Sequence, residues 1–310
     1  MKTMTKMMMT PELLLYFEEE KNQAEQIATA AGMALACVSR HRFPDGELKL
    51  RLPDTLPQRV TLLRSLYNPN EKLLELLLVA RTARTLGAKH LTLVAPYLAY
   101  MRQDIAFQPG EAVSQRIVGR FLADLFDAII TVDPHLHRIT TLQEAVPVPQ
   151  AIVLSGAPLL ADLIALHRNQ PLLVGPDEES AQWISQAAQR HGFDFAVCRK
   201  TRHGDRSVDV TLPQADIDGR AVVLLDDIAS SGHTLASVAR LLIAAGAATV
   251  DVAVTHALFA DDAVNLIKDA GVSNIWSTDC IPHPSNAVSM APFIATALTS
   301  LPTSTSTTTP

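Results

Sequence analysis

The residues best suited to chemistry lie in one stretch, VVLLDDIASSGHT at 222–234. An apolar run of the kind that forms a buried strand ends in two carboxylates, Asp226 and Asp227. Ser230, Ser231 and Gly232 follow as a short loop, and a helix is predicted to begin near His233 and Thr234. Such a loop suits an anion. Backbone N–H groups of Ser230 to Thr234 would point at phosphate oxygens, helped by the positive end of the helix dipole and by the hydroxyls. Asp226 and Asp227 are unsuited to the phosphate itself, because like charges repel. They suit ribose hydroxyls, or a hydrated Mg2+. The plainer reading is a strand, a turn and an ordinary Ser or Thr N-cap. Two acidic residues directly after a buried strand weigh against it, and a sugar phosphate uses every feature of the loop.

Five more segments place polar groups at the ends of apolar runs. FPDGE (43–47) sets Phe43, Asp45 and Glu47 on a turn that Gly46 suits, which is equally a plain hairpin turn. PYLAYMRQD (96–104) ends in Arg102, Gln103 and Asp104. A guanidinium fork fits polyphosphate oxygens, and a surface ion pair between Arg102 and Asp104 is the alternative. VDPHLHR (132–138) holds His135 behind Asp133, a carboxylate able to orient its ring. His137 is read as structural. In GPDEES (175–180), Asp177 is either a Mg2+ ligand or the N-cap of a helix that Glu178 and Glu179 begin. KTR (200–202) places Lys200 and Arg202 in a basic segment, 199–206, read as a mobile loop able to close over an anion. No Gly-Lys dipeptide and no GxGxxG occur, so a bound nucleotide needs neither a Walker A loop nor a Rossmann turn.

The elements that must position these groups follow from periodicity. Short apolar runs predict strands at 13–17, 34–39, 48–52, 60–63, 90–94 and 128–132, then at 172–174, 195–198, 208–211, 222–225, 249–254 and 274–277. Amphipathic runs predict helices at 19–31, 71–86 and 111–126, then at 158–167, 178–190, 234–245, 262–270 and 290–298. This alternation reads as α/β, two similar domains each with a mainly parallel sheet flanked by helices. The prolines of VPVPQ place the boundary between domains at 11–148 and 149–301, with tails 1–10 and 302–310 expected to be disordered. At 310 residues the length suits two domains. In open sheets of this kind ligands gather at the carboxyl ends of the strands.

Composition excludes several classes. Apolar residues make up 48% of the chain, enough for two cores, and the net charge of −6 argues against a nucleic-acid or membrane footprint. The most apolar stretch, 241–259, is broken by Gly246, Asp251 and His256, so a membrane span is not expected. Cys37, Cys198 and Cys280 lie far apart, form no CxxC pair and fit a reduced, cytoplasmic setting.

Taken in order, the six segments resemble those of ribose-phosphate pyrophosphokinases (phosphoribosyl pyrophosphate synthetases), and DPH, GPDEES and KTR resemble the archaeal-type branch. The resemblance covers roughly residues 12 to 300. It implies two phosphoribosyltransferase-like domains, ATP and ribose 5-phosphate as substrates, Mg2+ as cofactor, and transfer of the diphosphoryl group to give phosphoribosyl pyrophosphate and AMP. Residue by residue, it implies that Phe43, Asp45 and Glu47 reach the adenine across a subunit interface, hence a homo-oligomer. Arg102 and Gln103 would contact ATP, and His135 the ATP phosphates or their Mg2+. Asp177 would hold Mg2+. Asp226, Asp227, Ser230, Ser231, Gly232, His233 and Thr234 would bind ribose 5-phosphate, while Lys200 and Arg202 stabilise transition-state charge. Three positions depart from the family pattern. His233 replaces a common glycine, where a side chain would crowd the phosphate or force a different backbone. Ser231 replaces threonine, and Ile105 replaces a lysine. Three rival readings stand beside this one: an inactive relative that regulates a partner, a phosphoribosyltransferase that consumes the product, against which the doubled domain and the RQD segment argue, and a diphosphokinase with altered substrate.

Overall fold

The computed structural model describes residues 12–136, 138–203 and 207–302, except the side chains of 200–209. The chain folds as two compact units, each with a six-stranded sheet.

The first unit runs β1 (Glu12–Tyr16), α1 (Lys21–Ala31), β2 (Ala34–Cys37), β3 (Ser39–Arg42), β4 (Leu48–Arg51), β5 (Arg59–Leu63), α2 (Pro69–Thr85), β6 (His90–Ala95), α3 (Ser114–Ala123), β7 (Ala128–Val132), α4 (Leu142–Ala145) and β8 (Gln150–Leu154). Its sheet has the order β2-β1-β5-β6-β7-β8, parallel throughout. The second unit runs α5 (Ala157–His167), β9 (Leu172–Gly175), α6 (Ala181–His191), β10 (Asp194–Val197), β11 (Arg199–His203), β12 (Ser207–Thr211), β13 (Ala221–Ala229), α7 (His233–Ala244), β14 (Thr249–Ala257), α8 (Ala263–Asp269), β15 (Ile275–Thr278) and β16 (Asn286–Val288). Its order is β10-β9-β13-β14-β15-β16, again parallel. The last helix is α9 (Ala291–Ser300).

Both sheets follow one plan. The chain starts inside the sheet, steps to one edge, crosses back and continues to the other edge. The strand order therefore reverses between β1 and β5, and again between β9 and β13. Such switch points open a crevice at the carboxyl ends of the strands. Central strands such as β7 (AIITV) and β9 (LLVG) are buried at every position, which is why they read as mainly apolar runs without alternation. The helices α1 and α6 end alike, on Gly32 and Gly192, both at φ +67°. Each unit also carries a two-stranded antiparallel hairpin, β3–β4 and β11–β12.

Several boundaries differ from the sequence reading. The run 34–39 is broken at buried Val38 into β2 and β3, because β3 (SRHR) is exposed at every position and has no apolar alternation to announce it. Residues 199–203, expected as part of a loop, form β11; residues 204–206 lie outside the described residues. The partition into 11–148 and 149–301 is also corrected. Past the two prolines, β8 pairs with β7 and completes the first sheet. The C-terminal α9 returns to the first unit and packs on α1, β7 and β8. The first unit is thus the chain up to Leu154 together with the segment from Ala291, and the second is Ser155–Met290. The tails expected to be disordered fall, but for residue 302, outside the described residues.

Candidate active site

The polar segments divide between the two units. In the second unit, β13 runs four residues past its predicted end and takes Asp226 and Asp227 into the strand. Asp226 lies in register with Val254 and Ala229 with Ala257. Both carboxylates are half-buried, and Asp226 Oδ1 accepts the Asp227 N–H at 3.0 Å. The loop beyond is tied down by its carbonyls: Ala229 accepts the Phe259 N–H at 2.9 Å and Ser230 that of Ala260 at 3.0 Å. Gly232 then adopts the left-handed conformation (φ +75°) and α7 begins. A Cβ on Gly232 would lie 3.0 Å from the Ala263 carbonyl and 3.2 Å from Ile267 Cδ1, so glycine is required on both counts. The N–H groups of His233, Thr234 and Leu235 have no intrahelical acceptor, and the helix dipole adds to their pull on an anion.

His233 does not distort this loop. The left-handed turn falls on Gly232, while His233 is the first helical residue, with ordinary negative φ and an exposed side chain. The concern that a side chain here forces a different backbone is therefore corrected.

Asp177 leaves the neighbouring strand. Leu172 and Val174 of β9 lie in register with Val222 and Leu224 of β13, so Asp177 and the 226–234 loop issue from the two strands that flank the switch point. Asp177 stands at the N-cap position of a short 3-10 turn, Glu178–Ser180, yet its carboxylate makes no capping hydrogen bond; the Ser180 hydroxyl donates instead to its main-chain carbonyl at 2.6 Å. The capping reading is set aside. The hairpin β11–β12 starts beside it, since the Cys198 N–H donates to the Gly175 carbonyl at 2.8 Å. Lys200 lies in register with Val210 and Arg202 with Val208. Their side chains lie outside the described residues, as does His137.

In the first unit, Phe43, Asp45 and Glu47 form the exposed tip of β3–β4. The Phe43 N–H donates to Glu47 at 2.8 Å, the Gly46 N–H to Phe43 at 2.9 Å, and Asp45 Oδ1 accepts the Glu47 N–H at 3.2 Å. Gly46, at φ +95°, allows this turn. Phe43 stays 38% exposed, packed edge-on against His41. Arg102 is exposed and does not pair with Asp104; Asp104 is buried and bound by Arg138 at 2.6 Å. Gln103 is half-buried, its side-chain carbonyl accepting the Ser114 hydroxyl at 3.0 Å. His135 is half-buried in the loop after β7, two residues past Asp133, which is held at φ +36°. Arg138 belongs to a motif already singled out, but nothing in its spacing marked it, because its partner is remote in sequence.

Among the described residues, no three His, Cys, Asp or Glu side chains gather into a metal cage. The donors present still fit Mg2+, a hard cation that keeps water and substrate phosphates and takes only one or two carboxylates from the protein. Asp177, not used as a cap, is such a donor.

A parallel strand that carries an acidic pair near its end, followed by a glycine turn and a helix N-terminus at a switch point, places the chain with the phosphoribosyltransferase class of α/β proteins. Family models agree: residues 13–125 match the N-terminal domain of ribose phosphate pyrophosphokinase, and residues 149–291 match the phosphoribosyl transferase domain. The ribose-phosphate pyrophosphokinase of Methanopyrus kandleri is 35% identical over 93% of this chain and 99% of that protein. Ribose-phosphate pyrophosphokinase 1 of Archaeoglobus fulgidus is 36% identical over 89% of this chain and 95% of its own. The crystal structure of phosphoribosylpyrophosphate synthetase from Mycobacterium smegmatis superposes with a TM-score of 0.81 at 25% identity, covering 93% of this chain and 98% of that one. The chain belongs to the ribose-phosphate pyrophosphokinase family.

Proposed function

We propose that this chain transfers the β,γ-diphosphoryl group of ATP to the anomeric hydroxyl of ribose 5-phosphate, giving phosphoribosyl pyrophosphate and AMP. The observation that carries this reading is the loop from Asp226 to Thr234. Its N–H groups, left-handed glycine and flanking carboxylates match a 5-phosphate and the ribose hydroxyls in one piece. His233, in ordinary helical conformation, leaves that cradle intact, which favours an active enzyme over a binding-only relative.

In this reaction the sugar oxygen forms a bond to the β-phosphorus, the bond from that phosphorus to the α-phosphate oxygen breaks, and the hydroxyl proton is lost. Little covalent work falls to the protein, so positioning and charge stabilisation dominate. Asp226 and Asp227 orient the ribose by accepting from its hydroxyls. Arg102 and Gln103 hold the nucleotide, with His135 at its phosphates. Lys200 and Arg202 stabilise the charge that develops on the transferred group. Asp177, and His135 on the nucleotide side, would hold Mg2+, which would supply neutralisation of the phosphate charge. The exposed tip at Phe43, Asp45 and Glu47 serves the adenine of a second copy, so the enzyme works as a homo-oligomer, in the cytoplasm. No described helix is long and apolar enough to cross a membrane.

The test is direct. Purified protein with Mg2+, ATP and ribose 5-phosphate should release AMP and phosphoribosyl pyrophosphate in equal amounts. ATP left intact, or AMP formed without the sugar, overturns the assignment.

A further inference from the structure

We propose that Arg138 and Asp104 form a positioning pair that sets the two ATP-side loops relative to each other. The inference rests on the diphosphokinase reading above. Asp104 directly follows Arg102 and Gln103 in the loop after β6. Arg138 lies three residues past His135 in the loop after β7. These strands are neighbours, with Ala95 in register with Thr131, so the loops leave the sheet side by side.

On one flank the first loop is already fixed. The start of α3 holds it through the Ser114 hydroxyl on Gln103 Oε1, the Gln115 N–H on the Gln103 carbonyl at 3.2 Å, and Gln115 Nε2 on the Met101 carbonyl at 3.0 Å. On the other flank, an ion pair from Arg138 Nη1 to Asp104 Oδ1, at 2.6 Å, reaches into the loop after β7, beyond the Val132 N–H that donates to the Pro96 carbonyl at 3.3 Å. The Asp104 side chain is 4% exposed, whereas that of Arg138 is 53% exposed. Among the described residues, Asp104 Oδ2 is buried with no partner. A buried carboxylate held at one oxygen, with one counter-charge among the described residues, depends on that counter-charge. Neither group needs to touch substrate. Their effect is to fix how far Arg102 and Gln103 stand from His135, hence how well one nucleotide meets all three.

The experiment uses the full chain, with ATP binding measured by calorimetry in Mg2+ and turnover measured by AMP release. Arg138→Ala should weaken ATP binding and raise the KM for ATP by about tenfold to a hundredfold, the usual cost of losing a partner that orients a contact residue. The KM for ribose 5-phosphate should stay unchanged and kcat should move far less than the KM for ATP. Arg138→Lys, which keeps a charge able to reach Oδ1, should recover most of the loss. Unchanged ATP binding in Arg138→Ala overturns the inference. So does a fall in thermal midpoint with both KM values rising together, which would mark a merely structural pair. A wild-type chain that binds ATP but releases no AMP sinks the diphosphokinase reading, while the binding comparison still decides the pairing.

Discussion

The two switch points are built on one backbone plan and furnished with different side chains. In each unit a strand ends, its terminal carbonyl takes the N–H of the buried residue just past the next strand, and a hairpin starts: Val38 onto Tyr16 in the first unit, Cys198 onto Gly175 in the second. Counting from those residues, Arg40 and Arg42 occupy the same hairpin positions as Lys200 and Arg202. Their register partners correspond as well, Leu50 and Leu48 against Val210 and Val208. The surroundings differ. The first unit fills its crevice with Tyr16, Phe17 and a buried ion cluster. Arg64 is bound by Glu19, Glu20 and Glu75, Arg40 reaches Glu75 at 2.6 Å and Glu19 at 3.1 Å, and the Ser65 N–H donates to Glu20 Oε1 at 2.8 Å. The second unit has Gly175 where the first has Tyr16, and Ser180 closing the 3-10 turn that Glu20 closes in the first. The first unit thus supplies its own anions to its cations and loop N–H groups. In the function proposed above, the second unit leaves its matching groups to a ligand. A shared fold sets where a site can lie, and the side chains decide whether it becomes core or active site.

The largest effect that tests this contrast is on stability. Glu75 is fully buried between Arg64 and Arg40. Glu75→Ala takes from two guanidinium groups the fully buried one of the two carboxylates they share, the other being Glu19, and should cost about 3–5 kcal/mol in urea unfolding. A loss below about 1 kcal/mol, the range of exposed ion pairs, would remove the structural role given to the first switch point.

Next in size are the paired hairpin cations. Lys200→Ala should lower kcat by roughly 10²–10³, the cost of removing one preorganised charge donor, and leave ribose 5-phosphate binding and the thermal midpoint intact. Arg40→Ala, at the matching position, should lower the midpoint instead. If both variants lose the same property, the two hairpins are not used differently.

Gly232→Ala probes the second switch point alone. The left-handed φ costs about 1–2 kcal/mol for a residue with a Cβ, and the Ala263 carbonyl at 3.0 Å adds crowding. Titration with ribose 5-phosphate should show weaker binding along with the lower stability. Tight binding in this variant would mean that the loop does not hold the phosphate.

Most of this contrast was hidden in the sequence, and the reasons are physical. The parallel strands beside the switch points announce themselves, because burial on both faces makes them continuously apolar. The loop after β13 stood out as a candidate for a related reason: an acidic pair closing an apolar run is costly unless it is used. The hairpin strands β3 and β11 were not, since SRHR and RKTRH are charged on both faces and read as turns. The buried Arg64, Glu20 and Glu75 look like ordinary surface charges in sequence, and only the topology brings them together across separations as long as 45 residues. The Arg138–Asp104 tie, spanning 34 residues, escaped for the same reason. The return of α9 to the first unit leaves no local trace, because an apolar helix face does not say which sheet it covers.

The smallest expected effect sharpens the comparison through pH. Burial pushes the Glu20 carboxyl up to about 7, outweighing the pull of Arg64. The folded chain then keeps a proton that the unfolded chain releases near its ordinary value, so this group's contribution falls as pH rises from about 4.5 to 7. Its slope is at most about 1.4 kcal/mol per pH unit. Lys72 is close by, donating to the Ser65 carbonyl at 2.5 Å, and burial pushes it down to about 8. There the unfolded chain binds more protons, so its contribution rises from pH 8 toward 10.5. Together the two groups place a minimum in the cluster's contribution near neutral pH. Glu20→Gln keeps the acceptor for the Ser65 N–H but removes the titration. The difference in unfolding free energy between wild type and variant should change steadily between pH 5 and 7, with the variant gaining as pH rises. A difference that stays flat over that window would mean the carboxyl is ionised in the folded chain, with Arg64 outweighing burial and the first switch point fully charged.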